Sequence, residues 1–221
     1  MTDFAELRER MVKRQIEARG IRDPRLLDAL RHVPREEFVE AKHARDAYGD
    51  HPLPIGSGQT ISQPYIVALM IDAARIGAAD RVLEVGAGSG YAAAVIGRIA
   101  GEVIAIERKP ELAAQARERI ERLGYSNVTI VEGDGTRGWP ERAPFDAILA
   151  AASGSHVPQP LVDQLAPGGR LVMPVGSQAW AQKLVKLTKH SDGRIEKEKL
   201  GDVRFVPLIG EEGFADAGQR A

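Results

Sequence analysis

The stretch that decides the fold is LEVGAGSGY, residues 83–91, in which three glycines directly follow a short apolar run. The apolar run predicts a β-strand, and the small residues from position 91 onward predict a helix. Glycines in such a turn let the backbone approach a ligand closely. In a parallel α/β sheet this turn lies at the carboxyl edge of the strands, where ligands bind. The stretch therefore predicts a ligand site at the end of the first core strand.

The spacing of the glycines, Gly86, Gly88 and Gly90, indicates which ligand this is. A dinucleotide fingerprint needs its third glycine three positions after the second, and that position is Tyr91. The observed GxGxG spacing is associated instead with S-adenosylmethionine, which has no pyrophosphate. Taken alone, the motif is also compatible with a tight turn that binds no ligand. The spacing therefore favours S-adenosylmethionine as the cofactor.

Acidic residues follow the next two predicted strands. Glu107 ends the strand at residues 102–106, where a carboxylate can accept hydrogen bonds from ribose hydroxyls. Asp134 follows the strand at residues 127–131, where it would receive the adenine amino group, and Gly135 lies beside it. Alternatively, Glu107 caps a helix and Asp134 only turns the chain. A nicotinamide-dependent dehydrogenase would share Glu107 but not the glycine spacing. Three such features at successive strand ends favour the S-adenosylmethionine site.

Strands and helices alternate through the rest of the chain. Strands are predicted at residues 81–85, 102–106, 127–131, 145–151 and 169–175, with helices at 91–100, 110–123 and 157–165. This alternation predicts a doubly wound, mostly parallel sheet. Together with the cofactor features above, the predicted sheet resembles that of the class I S-adenosylmethionine-dependent methyltransferases. Residues 183–187 and 203–206 predict a C-terminal antiparallel strand pair joined through Asp192-Gly193.

The N-terminal third has a different pattern. Helices are predicted at residues 3–19, from Pro24, and at 65–76, whereas residues 51–58, HPLPIGSG, predict a loop because they are rich in proline and glycine. We expect residues 1–78 to form an N-terminal helical segment, with an active-site loop, packed on a cofactor-binding core at residues 79–221. The whole would be one structural domain, frayed from Ala215 on.

Composition narrows the class of protein. Thirty basic and thirty-one acidic side chains leave almost no net charge, so neither a nucleic acid nor a membrane is expected as a partner. The absence of cysteine excludes disulfides, thiolate metal sites and cysteine nucleophiles, and the five histidines show no ligand spacing, so no metal is expected. A charged N-terminus and the lack of a long apolar stretch predict a cytoplasmic protein.

One segment is far more specific than the glycine motif. GQTISQPYIVA at residues 58–68, together with LEVGAGSGY, GDG at 133–135 and VRFVPLIG at 203–210, resembles the bacterial protein-L-isoaspartate O-methyltransferases. The resemblance runs from Met11 to about Gly213, and ISQP and FVPL are its most particular parts. Where many members of that family carry a threonine before paired alanines, this chain has Ala150-Ala151-Ala152, followed by an unusually polar SGSH loop, which leaves substrate preference open there.

The resemblance implies a repair enzyme. It would methylate the free α-carboxylate of L-isoaspartyl residues in damaged proteins and peptides, acting as a monomer, and the ester would collapse through a succinimide without the enzyme. Ser62 would lie beside that carboxylate and the cofactor, with Gln59, Thr60 and Ile61 lining the same site. Val206 and its neighbours would hold the substrate backbone.

The chemistry suits this small set of residues. A carboxylate with an unperturbed pKa of roughly 4 is already the nucleophile at neutral pH, so the enzyme mainly has to align it. The Ser62 hydroxyl would orient the carboxylate; alternatively, Ser62 only caps the helix that begins at Pro64. Methylation of a small molecule and non-catalytic cofactor binding are the rival functions.

Overall fold

The computed structural model describes residues 3–178 and 180–216. Its helices are α1 (Phe4–Met11), α2 (Pro24–His32), α3 (Pro64–Ala74), α4 (Tyr91–Gly97), α5 (Pro110–Arg122) and α6 (Gln159–Asp163). Its strands are β1 (Leu53–Gly56), β2 (Gln59–Ile61), β3 (Arg81–Val85), β4 (Glu102–Glu107), β5 (Val128–Glu132), β6 (Phe145–Ala150), β7 (Leu165–Val175), β8 (Gln182–Lys189) and β9 (Ile195–Val203). Most of the predicted segment from Ala215 on lies outside the described residues.

Seven of the strands form one sheet in the order β5–β4–β3–β6–β7–β8–β9. The first five are parallel neighbours, and β8 runs antiparallel to both β7 and β9. After β3 the chain forms β4 and β5 on one side of β3 and then crosses to β6 on the other side. The topological switch point therefore lies between β3 and β6. The doubly wound, mostly parallel sheet is confirmed, and the last three strands lie in chain order.

Both faces of the central strands β3, β4 and β6 are buried, so the sequences of these strands are continuous apolar runs. Alternate residues of β3 and β4 belong to different hydrophobic clusters, because successive side chains point to opposite faces. Val82 and Val103 pack with residues of α1–α5, whereas Leu83 and Ile104 pack with Leu161 of α6. The N-terminal helices therefore share one hydrophobic cluster with the sheet. No helix in the described ranges is long and apolar enough to cross a membrane.

The predicted loop at residues 51–58 is wrong in part, because residues 53–61 form an antiparallel hairpin of β1 and β2. The hairpin is a separate two-stranded sheet, so a proline such as Pro54 needs no partner for its missing N–H. Leu53, Ile55 and Ile61 point inward and are buried. Ser57 lies at the tip with a φ of 48°, between two glycines that also have positive φ values. The hairpin is therefore held by its buried face, which a count of prolines and glycines does not reveal.

The C-terminal antiparallel pair is confirmed, but its second strand is β9 rather than residues 203–206. β9 is an edge strand whose residues are mostly exposed, so it has no apolar alternation to recognise. Its pairing with β8 is accompanied by ion pairs instead, such as Lys186 with Glu198 at 3.6 Å and Lys183 with Asp202. Residues 204–208 leave the sheet and cross its carboxyl edge, where the candidate site lies.

Candidate active site

The glycine loop lies at the carboxyl end of β3, beside the switch point. The amides of Gly86 and Ala87 both donate to the carbonyl of Ile106 on β4, at 2.8 and 2.9 Å. Gly88 has a φ of 54°, and a Cβ there would lie 3.1 Å from Ile55 Cδ1 of the hairpin. The loop is thus fixed to the neighbouring strand and leaves little room between itself and the hairpin.

Glu107 ends β4 with its carboxylate against the same loop. One carboxylate oxygen accepts a hydrogen bond from the Gly88 amide at 2.8 Å, and the other accepts from the Lys109 amide at 2.9 Å. Lys109 is the residue that precedes α5, so Glu107 also binds the start of that helix. Each carboxylate oxygen has two acceptor positions, so both can take a further hydrogen bond. Binding the loop, capping the helix and holding a ligand are therefore compatible.

A cavity that is partly open to solvent lies between the glycine loop, the β1–β2 hairpin and the segment 205–209. The structure brings most of the sequence-predicted site residues together around it: Gln59, Thr60, Ile61, Ser62, Gly86, Gly88, Glu107 and Gly135. Apolar walls come from residues such as Met70, Ile71, Ile106 and Leu149. A mostly apolar cleft with a few polar groups is the usual form of a small-molecule site.

Two predicted residues, Gly90 and Asp134, are not among the described residues that line this cavity. Gly90 precedes α4 and closes the turn. Asp134 accepts hydrogen bonds from the amide and hydroxyl of Thr136, at 2.9 and 2.7 Å, and from the Glu211 amide at 2.8 Å. Its carboxylate thus supports the turn of the chain at residues 135–137 and ties it to the C-terminal segment. A contact of Asp134 with adenine stays a prediction.

A second cavity adjoins the first and forms a groove between α3 and the segment 200–206. The two cavities share Thr60, Ser62, Ala151, Phe205 and Val206. Helix α3 begins at Pro64 with Gln63 as its cap residue, and the Tyr65 amide in its first turn donates to the Asp50 carboxylate at 3.2 Å, so Ser62 does not serve as the cap. Ser62 therefore lies where the two cavities meet, with its side chain not engaged by the helix.

Sequence reasoning gave no role to Arg35, which anchors Ser62. This arginine has no exposed surface, and its guanidinium donates to the carbonyls of Ser62 and Ala47, at 2.7 and 2.6 Å. It also lies 4.7 Å from the ring centroid of Tyr91. The residues around it in the sequence, such as Arg31, Glu36 and Glu37, are also charged, so no local pattern distinguishes Arg35. The hydrogen bond from Arg35 to the Ser62 carbonyl therefore fixes the backbone of Ser62.

Glu84 of β3 is buried in the wall of the cavity. One of its carboxylate oxygens has no hydrogen-bond partner among the described residues. Burial, together with the nearby charge of Glu107, raises the pKa of Glu84 to about 8. An unpartnered carboxyl group in the cavity wall suits a ligand that carries a cationic donor.

This raised pKa predicts a pH dependence of stability for the protein without added cofactor. In the unfolded chain Glu84 ionises near pH ~4.3, so between about pH 5 and 8 only the folded state retains the proton. The free energy of unfolding should therefore fall as pH rises through this window, by at most ~1.4 kcal/mol per pH unit. Urea unfolding of the wild type and Glu84→Gln across this range tests it, since the variant should show a flatter profile. Parallel profiles would contradict the burial effect.

Comparison with known proteins identifies the family. Residues 6–213 match the family model described as protein-L-isoaspartate(D-aspartate) O-methyltransferase (PCMT). A protein-L-isoaspartate O-methyltransferase 1 from Rhodopseudomonas palustris is 59% identical over 97% of this chain and 87% of its own length. One from Pelobacter propionicus is 55% identical over 94% of this chain and 92% of its own.

Solved structures agree with these relatives. A protein-L-isoaspartate O-methyltransferase superposes with a TM-score of 0.83 at 29% identity, covering 93% of this chain and 67% of its own. A Plasmodium falciparum structure of that description, in complex with S-adenosyl-L-homocysteine, gives a TM-score of 0.79 at 29% identity over 91% of this chain and 98% of its own. The fold, the family-model match and the near full-length similarity lead to one conclusion. This chain belongs to the protein-L-isoaspartate(D-aspartate) O-methyltransferase family.

Proposed function

We propose that the enzyme transfers a methyl group from S-adenosylmethionine to the free α-carboxylate of L-isoaspartyl residues in damaged proteins and peptides, with Ser62 orienting that carboxylate. The observation that carries the assignment of Ser62 is its position where the two cavities meet. The cavity beside the glycine loop would hold the methyl donor, and the groove along residues 200–206 would hold the acceptor. Methyl transfer requires the two to meet at one point, and Ser62 lies at that point.

The lining of the first cavity fits the chemistry of S-adenosylmethionine. When bound, this cofactor supplies an electrophilic methyl group on a sulfonium sulfur. The unpartnered oxygen of Glu84 suits its amino group, and Glu107 can accept from ribose hydroxyls while keeping its bonds to backbone amides. The loop at Gly86 and Gly88 would lie against the methionine part. No residue in this cavity has to supply or remove a proton.

The acceptor needs orientation rather than activation. An α-carboxylate is deprotonated at neutral pH and is a nucleophile without a general base. The hydroxyl of Ser62 can donate one hydrogen bond to it and cannot protonate it there. Arg35 holds the Ser62 backbone through its carbonyl, so the hydroxyl starts from a fixed position. Such alignment can contribute several orders of magnitude to the rate.

The direct test is a labelled-cofactor assay on two peptides that differ only in having L-isoaspartate or aspartate at one position. We expect label to enter the isoaspartyl peptide and not the aspartyl one. Transfer to both peptides would contradict the substrate assignment. Transfer to neither, with cofactor binding intact, would favour a small-molecule acceptor or a non-catalytic binding protein.

Replacing Glu107 by alanine should chiefly weaken cofactor binding. The change removes the proposed ribose acceptor and frees the Gly88 amide, so we expect the dissociation constant for S-adenosylmethionine to rise about 10- to 100-fold. Glu107→Gln keeps one acceptor oxygen, so its dissociation constant should lie between those of Glu107→Ala and the wild type. Isothermal titration calorimetry measures both constants. An unchanged constant in Glu107→Ala would remove this residue from the ribose site.

We also infer that the enzyme acts as a cytoplasmic monomer without nucleic acid or membrane partners. Arginines and glutamates alternate along α5, as at Arg117, Glu118 and Arg119, so this helix has no continuous basic face. Among the described residues only Trp180 and Ile195 are large exposed hydrophobics, which leaves little apolar surface for a second copy. Light scattering should give the mass of one chain, and cell fractionation tests the compartment.

A further inference from the structure

Trp180 is the most exposed large hydrophobic side chain in the described part of the chain. Its side chain is 77% exposed, in the turn that joins β7 to β8. The turn lies at the carboxyl end of β7, on the same edge of the sheet as the candidate site. Its neighbour Ala181 lines the proposed acceptor groove. Trp180 is not among the described residues that line either cavity, and its exposed ring is apolar surface one residue beyond the groove wall at Ala181.

The backbone of this turn is tied to the groove by one buried glutamine. The Gln182 amide nitrogen donates to the carbonyls of Trp180 and Ser177, both at 3.3 Å, and its amide oxygen accepts from the Phe205 amide at 2.9 Å. Gln182 also pairs with Val203 at the start of the β8–β9 ladder. Because Phe205 lines both cavities, the turn with Trp180 is fixed relative to the proposed reaction centre while its side chain remains free.

The groove is lined by separate parts of the chain. Its lining includes Ser62, the apolar side chains of Ile66, Leu69 and Leu200, and Ala181, the residue that follows Trp180. An extended polypeptide that places its isoaspartate at Ser62 therefore continues along this wall. Tryptophan gives a large contact area at a small cost in side-chain entropy, which suits contact with varied sequences.

We propose that Trp180 is a specificity-determining residue that contacts side chains flanking the isoaspartate of an extended acceptor polypeptide. The inference rests on the proposed function, because its occupant is that enzyme's substrate. A polypeptide is favoured over a second copy of the chain because the groove is continuous with Ser62. Gln182 acts as the positioning residue for the tryptophan, through the backbone of the turn.

Steady-state kinetics with a long and a minimal isoaspartyl peptide test this. Trp180→Ala should raise KM for a peptide with several flanking residues about five- to tenfold, while kcat and the KM for a minimal tripeptide stay near wild type. Trp180→Phe should recover most of the loss. Ile195→Ala, at the far end of the β8–β9 hairpin, is the matched control for removing an exposed apolar side chain.

Fluorescence gives a second readout that a folding defect would not imitate. The chain has two tryptophans, so a peptide-induced change in emission that is present in the wild type and absent in Trp180→Phe would come from Trp180. An unchanged KM for the long peptide in Trp180→Ala, with isoaspartate selectivity retained, would overturn this inference alone. A lower oligomeric mass in that variant would assign the side chain to a contact between copies and overturn it as well. Loss of selectivity between isoaspartyl and aspartyl peptides in the wild type would overturn the proposed function itself.

Discussion

Replacing Ser62 by alanine is expected to lower kcat for an isoaspartyl peptide by about 10- to 100-fold, the effect of one hydrogen bond to a charged group. The dissociation constant for S-adenosylmethionine should change little, because the backbone of the site is retained. The reason is the place of Ser62 where donor and acceptor cavities meet, with its side chain not used to cap α3. Single-turnover methylation and calorimetry measure the two quantities separately.

The control for this variant is Ser191→Ala, which removes an exposed hydroxyl in the turn between β8 and β9. It should leave both quantities unchanged. Ser62→Thr keeps a hydroxyl and should retain more activity than the alanine variant. Equal losses of methyl transfer and cofactor affinity in Ser62→Ala would show a general disturbance of the site and contradict the orienting role.

Replacing Arg35 by leucine should have the largest effect on stability. The change leaves the carbonyls of Ser62 and Ala47 without their buried donor, and each loss costs about 1–3 kcal/mol. We therefore expect the free energy of unfolding to fall by about 2–5 kcal/mol. Methyl transfer should fall as well, since the Ser62 backbone is no longer held. Urea unfolding and single-turnover kinetics give the two results.

Two variants separate position from stability. Arg35→Lys keeps the positive charge, but its single ammonium group cannot donate to both carbonyls as the planar guanidinium does. The kcat of this variant should therefore fall even when the protein is folded. Arg14→Leu removes an exposed arginine from the same N-terminal segment and should change neither measurement. Wild-type kcat in a folded Arg35→Lys would contradict the positioning role of this side chain.

The elements that sequence reasoning predicted well are those specified by neighbours in the chain. The strand–glycine–helix unit at Gly86 and the acidic end of β4 at Glu107 are local patterns, and buried parallel strands are apolar along their whole length. Their order of succession was enough to predict the doubly wound sheet. The predictions were wrong for elements whose structure depends on a strand partner distant in the chain. Pro54 is tolerated because β1 is an edge strand. β9 is held by its pairing with β8 and by ion pairs rather than by burial.

The candidate site divides in the same way. The amino-acid sequence by itself determined the fold class, the cofactor loop and, through the ISQP segment, the family. Only the tertiary structure decided that Arg35 holds Ser62 from 27 residues away, that one carboxylate oxygen of Glu84 is buried with no hydrogen-bond partner among the described residues, and that the exposed Trp180 precedes a residue of the groove wall. The physical reason is that burial and hydrogen-bond satisfaction depend on which residues distant in the chain come into contact, and a local sequence pattern does not specify those contacts.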